Sequence, residues 1–569
     1  MTWRLAIWPD RAQYRPGGAV TLIAEVTGPA GGEAHLRVSL TERSSKVAEL
    51  ASPLRLDEAG RARLPLTWQP PPGAREWAAY GADALLEAPG ATAQATTAFD
   101  VAPHWGRAPR YGFLSDFRPG STHEEDTARL EAMLRLHLNC IQFYDWMYTH
   151  YDYIPPREIF TDVLGRTVDF GSVRRRIGLC RERGMAPIAY AAVYGAEKEF
   201  AEAHPDWLLY DGAGRPISLA GLFFIQDPSP GCGWREYLLN SYRQALALGF
   251  AGTHCDTYGS PHAGLTHDGR LVRLERVLPG LMAEAQALAE AADPAEGGSM
   301  LNNVKAWPVE AMAGAPGAAI YIEVWDPDET YRDLWELILR VRRLDRRRQP
   351  ILAAYLSPFF PKQERLAGAM AGLRLASATI FASGGFHLLP GEGNGILAHA
   401  YYPDHGRLSQ EDWEVVRAYW DFQTRYGPLL ADPEAMDLTT ANTGHEAQEA
   451  RFSGPDGTAF SAKGLPGTVW TILKEGDDYR TVHLINLTGV TDPRWNSAQP
   501  EPPLVEGIEI RLECLRQPRA VWWASPDLDG GRPQPLAWRL EPDERVGQAL
   551  VATLPSLRCW SMLVVEEQR

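Results

Sequence analysis

Short stretches of alternating apolar and polar residues, separated by turns rich in glycine and proline, fill the first hundred residues. The segments AVTLIAEV (19–26) and EAHLRVSL (33–40) have the two-residue period of half-buried strands. Between such stretches stand the turn signals RPGG, GPAGG, DEAG and PPPG, without a helical stretch among them. This spacing predicts a small β-sandwich over residues 1–103.

From residue 104 the pattern changes to apolar strands that are each followed by a helix. YGFLSDF (111–117), for example, precedes THEEDTARLEAMLRLH (122–137), which has an acidic first turn and helical periodicity. The predicted strands lie in 111–117, 139–146, 185–195, 249–256, 299–304, 318–325, 350–356 and at the end of 365–386. Eight strand–helix units predict a (β/α)8 TIM barrel over residues 104–430, with the strand C-termini meeting at one face.

Beyond residue 430 the β pattern returns. GTVWTILKEGDDYRTVHLINLTG (467–489) predicts a hairpin with Gly-Asp-Asp at its turn, and PRAVWWAS (518–525) and RCWSMLVVEE (558–567) predict further strands. We therefore expect a second β-sandwich over residues 431–569. A multidomain chain agrees with the length of 569 residues, since single cores stop growing well below that size.

Composition narrows the classes of partner and compartment. The net charge of −16 argues against nucleic acid and anionic membranes as partners, because both need a basic surface. No apolar run is long enough to cross a bilayer, and the start MTWRLAIWPDRAQYRPGG lacks a signal-peptide core, so we expect a cytoplasmic protein, or a secreted one if a leader has been removed. The oligomeric state stays open. Reduced thiols are expected at the widely spaced Cys140, Cys180, Cys232, Cys255, Cys514 and Cys559.

Carboxylates and aromatic residues stand together at the predicted strand ends. Aromatic rings stack on the C–H faces of sugars, while carboxylates and amides bind hydroxyl groups, so this combination predicts a carbohydrate site. Taken singly, each residue also has a structural explanation, as a turn residue or as packing at the barrel mouth. The strand-end residues are Asp116, Tyr144, Asp145, Trp146, Tyr194, Asp256, Asn302, Asn303, Glu323, Trp325, Tyr355 and His387. All of them except Asp116 and Asn302 are predicted site residues, together with His254 in the fourth predicted strand.

Metal and cofactor chemistry has no sequence signal in this chain. His254 and His387 are not accompanied by HxH or HExxH spacing. They are interpreted as orienting or core histidines, and we expect no metal and no cofactor.

The segments RYGFLSDF, IQFYDWMYTHYDYIPP, GFAGTHCDTYG, IYIEVW and FHLLPGEGNGILAHAYYP resemble glycoside hydrolase family 66, which holds dextranases and cycloisomaltooligosaccharide glucanotransferases. The resemblance implies an N-terminal immunoglobulin-like domain and a C-terminal Greek-key domain around the barrel. It also implies that Asp256 is the nucleophile and Glu323 the acid/base. The loop GEGNG (391–395) after strand eight is predicted to bring Glu392 and Asn394 to the site.

The implied reaction is endo-acting, retaining hydrolysis of α-1,6-glucosidic linkages in dextran or isomalto-oligosaccharides. Retention needs two carboxyls ~5 Å apart, one ionised and one with a raised pKa. Asp256 precedes Thr-Tyr-Gly, whose amides and hydroxyls we expect to hold it charged. Glu323 stands between Ile and Val and near Trp325, a setting that raises the pKa of a carboxyl.

Two alternatives stay open, a transglycosylase that forms cyclic or longer isomalto-oligosaccharides and a non-catalytic glucan-binding protein. Family members that make cyclic products usually carry a carbohydrate-binding insertion within the barrel. The stretch PFFPKQERLAGAMAGLRL (358–375), between strands seven and eight, is too short for one. This departure favours hydrolysis.

Overall fold

Eight parallel strands form the central sheet, in which their order follows their order in the chain. The computed structural model describes residues 2–71, 75–362, 364–443, 448–455 and 457–568. Nearly every residue of these strands is buried, because a barrel strand packs against helices outside and side chains inside. The sheet is a nearly closed barrel, and the predicted eight strand units are confirmed. Barrel strands 1 to 8 are Tyr111–Leu114, Cys140–Phe143, Ala186–Ala192, Gly252–Asp256, Met300–Val304, Ile320–Glu323, Pro350–Ala353 and Phe386–His387.

Helices cover the outside of the barrel, and several begin at the capping residues that the sequence offers. Thr122 and Thr330 each form a capping box with the acidic residue three positions later. The helices are His123–Leu134, Phe170–Glu182, Lys198–Ala203, Gly233–Ala247, Leu274–Ala292, Val309–Ala313, Tyr331–Leu344, Ala369–Ser383, Gln410–Arg425, Gly427–Leu430 and Thr439–Asn442. Short 3-10 turns lie at Trp105–Arg107, Pro205–Trp207, Ser357–Phe359, Glu392–Asn394, Tyr402–Asp404 and Asp529–Gly531.

Small antiparallel ribbons extend the loops that follow several barrel strands. The last ribbon passes close to barrel strand 1, where a Cβ added to Gly391 would lie 2.3 Å from the ring of Phe113. Only glycine allows this approach, which brings the chain after barrel strand 8 across the barrel mouth. The ribbon strands are Ile159–Thr161, Thr167–Asp169, Gly195–Glu197, Ser218–Leu219, Phe223–Ile225, Ala263–Leu265, Leu271–Arg273, Pro390–Gly391, Gly395–Ile396 and Gly406–Arg407.

Two antiparallel sheets precede the barrel and share one hydrophobic core. Asp100 at the end of this region forms a fully buried ion pair with Arg110, just before barrel strand 1, at 2.7 Å. The N-terminal region is therefore tied directly to the barrel. The strands are Arg4–Pro9, Val20–Thr27 and Arg61–Trp68 in one sheet, and Glu33–Glu42, Ser45–Arg55, Ala78–Ala88 and Ala91–Val101 in the other.

Two further sheets, antiparallel except where Phe460–Ser461 pairs with Val469–Glu475, follow the barrel and share a second apolar core. The first contains Met436–Asp437, Phe460–Ser461, Val469–Glu475, Tyr479–Asn486, Pro518–Ala524, Gln534–Pro535 and Trp560–Glu567. The second contains Ala450–Ser453, Val505–Glu513, Trp538–Asp543 and Gly547–Leu557.

The cysteines are free thiols, and four of them are buried: Cys140, Cys180, Cys255 and Cys559. Among the described residues, no helix has both the length and the apolar character needed to span a bilayer.

Candidate active site

A cavity of about 510 Å³ opens at the C-terminal ends of the barrel strands. In TIM barrels this face carries the chemistry, because side chains from several strands converge there. The lining comes from barrel strands 2 to 6 and from the loops after strands 2 to 8. It includes Tyr144, Asp145, His150, Tyr190, His254, Asp256, Asn302, Tyr321, Glu323, Trp325, Tyr355, Tyr401 and Tyr402.

Asp256 and Glu323 are the last residues of barrel strands 4 and 6. The amide nitrogen of Asn302, on the strand between them, donates to Oδ1 of Asp256 at 2.7 Å and to Oε2 of Glu323 at 2.9 Å. Since one nitrogen reaches both oxygens, these oxygens lie no farther apart than the sum of the two distances, 5.6 Å. The Tyr190 hydroxyl also donates to Asp256 at 2.8 Å, and the Tyr355 hydroxyl donates to Glu323 at 3.0 Å.

The surroundings make both carboxyls easier to protonate than exposed ones. Burial, followed by the negative charge of Glu323, raises the pKa of Asp256 to about 7. Burial also raises the pKa of Glu323. The hydrogen bonds from Asn302 lower the pKa of each carboxyl and so oppose these rises. Because the two groups are close, they titrate as a coupled pair.

The loop after Asp256 does not supply the donors that the sequence predicted. The Thr257 hydroxyl donates to the backbone carbonyl of Asn302 at 2.9 Å, and the Tyr258 N–H donates to the Tyr194 hydroxyl at 3.0 Å. That prediction was wrong, because these groups are committed to neighbouring strands and loops. The hydrogen bonds to Asp256 come from the adjacent barrel strands 3 and 5 instead.

Asp145 places a third carboxyl in the cavity. Its backbone has a φ of 46°, in the left-handed region that few non-glycine residues adopt and that Asp tolerates better than most. The Arg166 guanidinium lies 3.3 Å from its Oδ2 and also pairs with Asp162 at 2.6 Å. Burial raises the pKa of Asp145 to about 7 although Arg166 opposes the rise. The carboxyl is thus held in one position at the cavity wall.

Aromatic rings form much of the remaining wall. Tyr144 stacks on Tyr402 with ring centroids 4.4 Å apart, and Trp325 lies 5.8 Å from Tyr355. Burial lowers the pKa of His254 to about 3, so this ring is neutral at pH 7. The predicted site residues that line the cavity are Tyr144, Asp145, His254, Asp256, Glu323, Trp325 and Tyr355.

Six predicted site residues do not line the cavity that the described residues form. Trp146 is fully buried, donates from Nε1 to the Tyr190 carbonyl at 3.1 Å and packs 4.7 Å from Phe250. Tyr194 is also buried, and its hydroxyl holds the loop after Asp256 from behind. These two side chains support the site without facing it.

Asn303 and His387 are likewise turned into the protein. The Asn303 amide donates to the backbone carbonyls of Leu301 and Tyr321, so it ties barrel strand 5 to its neighbour. His387 contacts the Ala354 carbonyl through Nε2 at 2.9 Å and is buried. Side chains alternate along a strand, which is why Asn302 and not Asn303 lies between the carboxyls.

Residues of the GEGNG loop bond to the barrel wall and do not line the cavity. Glu392 is buried and accepts hydrogen bonds from the backbone N–H groups of Ser115 and Asp116, at 2.6 and 2.7 Å. Its other oxygen pairs with Arg129. Asn394 has a φ of 55° at a tight turn, and its carbonyl accepts from a backbone N–H. Both residues therefore fix the loops around barrel strands 1 and 8.

The cavity also contains functional side chains that sequence reasoning missed. Tyr190 lies inside a completely buried strand and gives no strand-end signal. Asn302 was recognised at a strand end, but its neighbour Asn303 was predicted as the site residue in its place. Tyr401 and Tyr402 lie in the segment FHLLPGEGNGILAHAYYP, in which Glu392 and Asn394 were the predicted site residues. Among the described residues, no group of three or more His, Cys, Asp or Glu side chains is placed to hold a metal ion.

Two proteins of known activity are similar in sequence to this chain. A cycloisomaltooligosaccharide glucanotransferase from Niallia circulans is 22% identical over 711 residues, covering 98% of this chain and 71% of that protein. A dextranase from Streptococcus salivarius is 27% identical over 215 residues, covering 34% of this chain and 25% of that protein.

The same fold occurs in a solved structure. A cycloisomaltooligosaccharide glucanotransferase from Paenibacillus sp., complexed with cycloisomaltoheptaose, superposes with a TM-score of 0.88 at 21% identity, covering 98% of this chain and 100% of that one. The sequence profile described as glycosyl hydrolase family 66 matches residues 9–564. Because this match spans nearly the whole sequence, the chain belongs to glycosyl hydrolase family 66.

Proposed function

We propose that the protein is an endo-acting, retaining glycoside hydrolase that cleaves α-1,6-glucosidic linkages of dextran or isomalto-oligosaccharides. The observation that carries the proposal is the pair of carboxyls bridged by Asn302, whose nearest oxygens are at most 5.6 Å apart. Retaining enzymes hold their carboxyls ~5–5.5 Å apart, whereas inverting enzymes need ~6.5–9.5 Å to admit a water. The upper limit of 5.6 Å on the distance between these oxygens therefore supports a retaining mechanism.

In the proposed reaction Asp256 attacks the anomeric carbon while Glu323 gives its proton to the departing glycosidic oxygen. A covalent glucosyl–Asp256 ester results, and the shortened glucan leaves with the proton. Glu323, now ionised, takes a proton from water, whose oxygen attacks the anomeric carbon and releases Asp256. A coupled pair can hold one proton while one carboxylate stays ionised, and the proposed roles require that proton on Glu323 and the charge on Asp256.

The substrate class rests on the relatives and on the shape of the site. One relative is named a dextranase, and another is complexed with a cyclic isomalto-oligosaccharide. Aromatic side chains stand on both sides of the carboxyl pair, with Tyr144 and Tyr190 on one side and Trp325 and Tyr355 on the other. Sugar rings on both sides of the cleaved bond would suit cleavage within a chain.

Transfer to another sugar is the second candidate, because long relatives of this chain are glucanotransferases. The two reactions share the covalent intermediate and differ in whether water or a sugar hydroxyl attacks it. Barrel strands 7 and 8 are joined here by residues 354–385, which include the 3-10 turn Ser357–Phe359 and the helix Ala369–Ser383. The absence of a large insertion at this described connection favours hydrolysis.

We also propose that the flanking regions, residues 1–103 and 431–569, are the immunoglobulin-like and Greek-key domains of the family, with the catalytic domain at 104–430. The support is that each region has paired, mainly antiparallel sheets with their own apolar core. If the protein binds dextran but releases no reducing sugar from it, a non-catalytic glucan-binding function would be supported instead.

The test separates the two carboxyls by the stereochemistry of azide rescue. Glu323→Ala should still cleave an activated aryl isomaltoside, because its phenolate leaves without protonation, and azide should then give a glucosyl azide of retained configuration. Asp256→Ala should lose activity, and azide should restore only an inverted product from the opposite face. The control Glu310→Ala, an outer-helix carboxylate paired with Arg340, should behave like the unchanged protein. Exchanged configurations would exchange the two roles.

A further inference from the structure

A second cavity, of about 390 Å³, adjoins the active-site cavity, and Trp325 and Tyr355 line both. We call it the flanking cavity. Its outer wall is the C-terminal loop, defined here as residues 492–499, which connects Tyr479–Asn486 to Val505–Glu513. A chain that leaves the active-site cavity past Trp325 would therefore enter a space that the C-terminal region helps to enclose.

Hydrogen bonds hold the C-terminal loop against the barrel. Trp495 is buried, and its Nε1 donates to the Asp328 carbonyl at 2.8 Å while its backbone N–H donates to the Glu329 carbonyl at 3.0 Å. The backbone N–H of Ser357 donates to the side-chain oxygen of Asn496 at 2.6 Å. Through these bonds the loop contacts the chain just after barrel strands 6 and 7.

Two glycines of the barrel allow this loop to approach closely. A Cβ added to Gly372 would lie 2.5 Å from the Ser497 carbonyl oxygen, and one added to Gly368 would lie 2.0 Å from that of Gln499. Gly368 also has a φ of 81°, which other residues rarely adopt. The loop is thus seated in a fixed position, as a binding wall requires.

The flanking cavity lies on the Glu323 side of the carboxyl pair. Tyr355, which lines it, donates a hydrogen bond to Glu323, and Trp325, which also lines it, follows Glu323 by two residues. The partner of Asp256 is Tyr190 on barrel strand 3, on the opposite side of the barrel from strand 7. In the proposed reaction the acid/base contacts the departing oxygen, so sugar units beyond Glu323 belong to the leaving group or, in transfer, to the acceptor.

The lining has the chemistry that sugar units need. Trp325 is 36% exposed and offers a ring face at the junction of the two cavities. Arg494 is exposed and paired with Asp492, and Asn496 also lines the cavity, with its side-chain oxygen accepting from the Ser357 N–H. The N–H groups of the Arg494 guanidinium and the Asn496 amide can donate hydrogen bonds to sugar hydroxyl groups.

We infer that the flanking cavity binds the leaving-group glucosyl units of an α-1,6-glucan and that the C-terminal loop is part of this binding site. The inference rests on the proposed function, since it places the units relative to Glu323. It assigns a substrate-binding role to the C-terminal region, whose loop would select for substrates long enough to reach it.

The experiment compares Arg494→Ala and the double variant Arg494→Ala/Asn496→Ala with the control Thr491→Ala, an exposed residue just before the same loop that does not line the cavity. One substrate is isomaltooctaose, which can fill the leaving-group side. The other is 4-nitrophenyl α-isomaltotrioside, which offers only a phenolate there. For the double variant, kcat/KM on isomaltooctaose relative to the aryl substrate should fall about tenfold, the loss expected for one or two hydrogen bonds. The control should keep the ratio.

A proportional loss on both substrates would mean that the loop only supports the fold, and an unchanged ratio would also overturn the inference. If the double variant shows no thermal unfolding transition, Arg494→Ala is measured in its place. Because the Arg494 side chain is exposed, we expect this single variant to fold. If the unchanged protein cleaves neither substrate, the proposed function fails. Calorimetric titration with isomaltooctaose then decides the inference: a Kd weakened about tenfold by Arg494→Ala/Asn496→Ala supports it, and an equal Kd overturns it.

Discussion

Replacing Asn302 by alanine should move the whole pH profile of catalysis toward higher pH. Asn302 donates from one nitrogen to both Asp256 and Glu323, and each hydrogen bond lowers the pKa of its carboxyl. Without the amide, both ionised forms lose a donor, so both pKa values of the coupled pair rise. The acidic and basic limbs of kcat/KM should therefore shift in the same direction.

The size of the shift follows from the strength of one charge-assisted hydrogen bond. Such a bond contributes about 1.5–3 kcal/mol, and one pKa unit corresponds to about 1.4 kcal/mol, which gives an upper range of about 1–2 units. Water entering the space left by the amide replaces part of the bond. We expect each limb to move upward by about one unit.

The assay is the pH dependence of kcat/KM on isomaltooctaose for the unchanged protein, Asn302→Ala and Asn303→Ala. Asn303 is the matched control, because its amide bonds to the backbone carbonyls of Leu301 and Tyr321 and not to a carboxylate. Its loss should lower the melting temperature while leaving both limbs in place. A folded Asn302→Ala protein with unchanged limbs, or with limbs moving in opposite directions, would refute the reasoning.

Three further predictions concern stability and are checked by denaturant titration. Arg110→Ala leaves the fully buried carboxylate of Asp100 without its cation and should lower the free energy of unfolding by about 3–5 kcal/mol; a loss under about 1 kcal/mol would contradict this. Burial lowers the pKa of Lys474 to about 7, so the unfolded chain binds more protons between pH 7 and 10. Stability should rise with pH there by at most about 1.4 kcal/mol per unit, and Lys474→Met should flatten that slope. Gly372→Ala should lower the free energy of unfolding by about 1–3 kcal/mol, because its Cβ would meet the carbonyl of Ser497. An unchanged free energy of unfolding would show that the C-terminal loop moves to make room.

The barrel could be predicted from the sequence because its signals are local. Each strand is a short apolar run and each helix has its own periodicity and cap, so eight units can be counted without knowing how they pack. The strands end earlier than the pattern suggested, since YGFLSDF contributes only Tyr111–Leu114 to the sheet. The polar residues that follow belong to loops, which is where barrel chemistry stands.

The site could be predicted only at the carboxyls and their close neighbours. Which of two adjacent residues faces the cavity depends on the register of a strand within the barrel, and a shift of one residue reverses it. Asn302 and Asn303 are chemically identical, so residue type could not decide between them. Trp146 was expected beside Tyr144 at the site but packs behind it, because the strand ends at Phe143 and the left-handed backbone of Asp145 turns the chain between them.

Long-range contacts account for what the sequence could not indicate. Tyr190 is identified as a partner of Asp256 only because barrel strands 3 and 4 pair side by side, and Tyr402 reaches Tyr144 only because the chain after strand 8 crosses the barrel mouth. The reaction fixes the residue type at the carboxyl positions, whereas many polar or aromatic side chains could supply a donor or a wall around them. The neighbours that set the pKa values are therefore less constrained in sequence than the carboxyls themselves, and their contribution has to be measured in the folded protein. Asn302 is the place to measure it, since its one amide acts on both carboxyls at once.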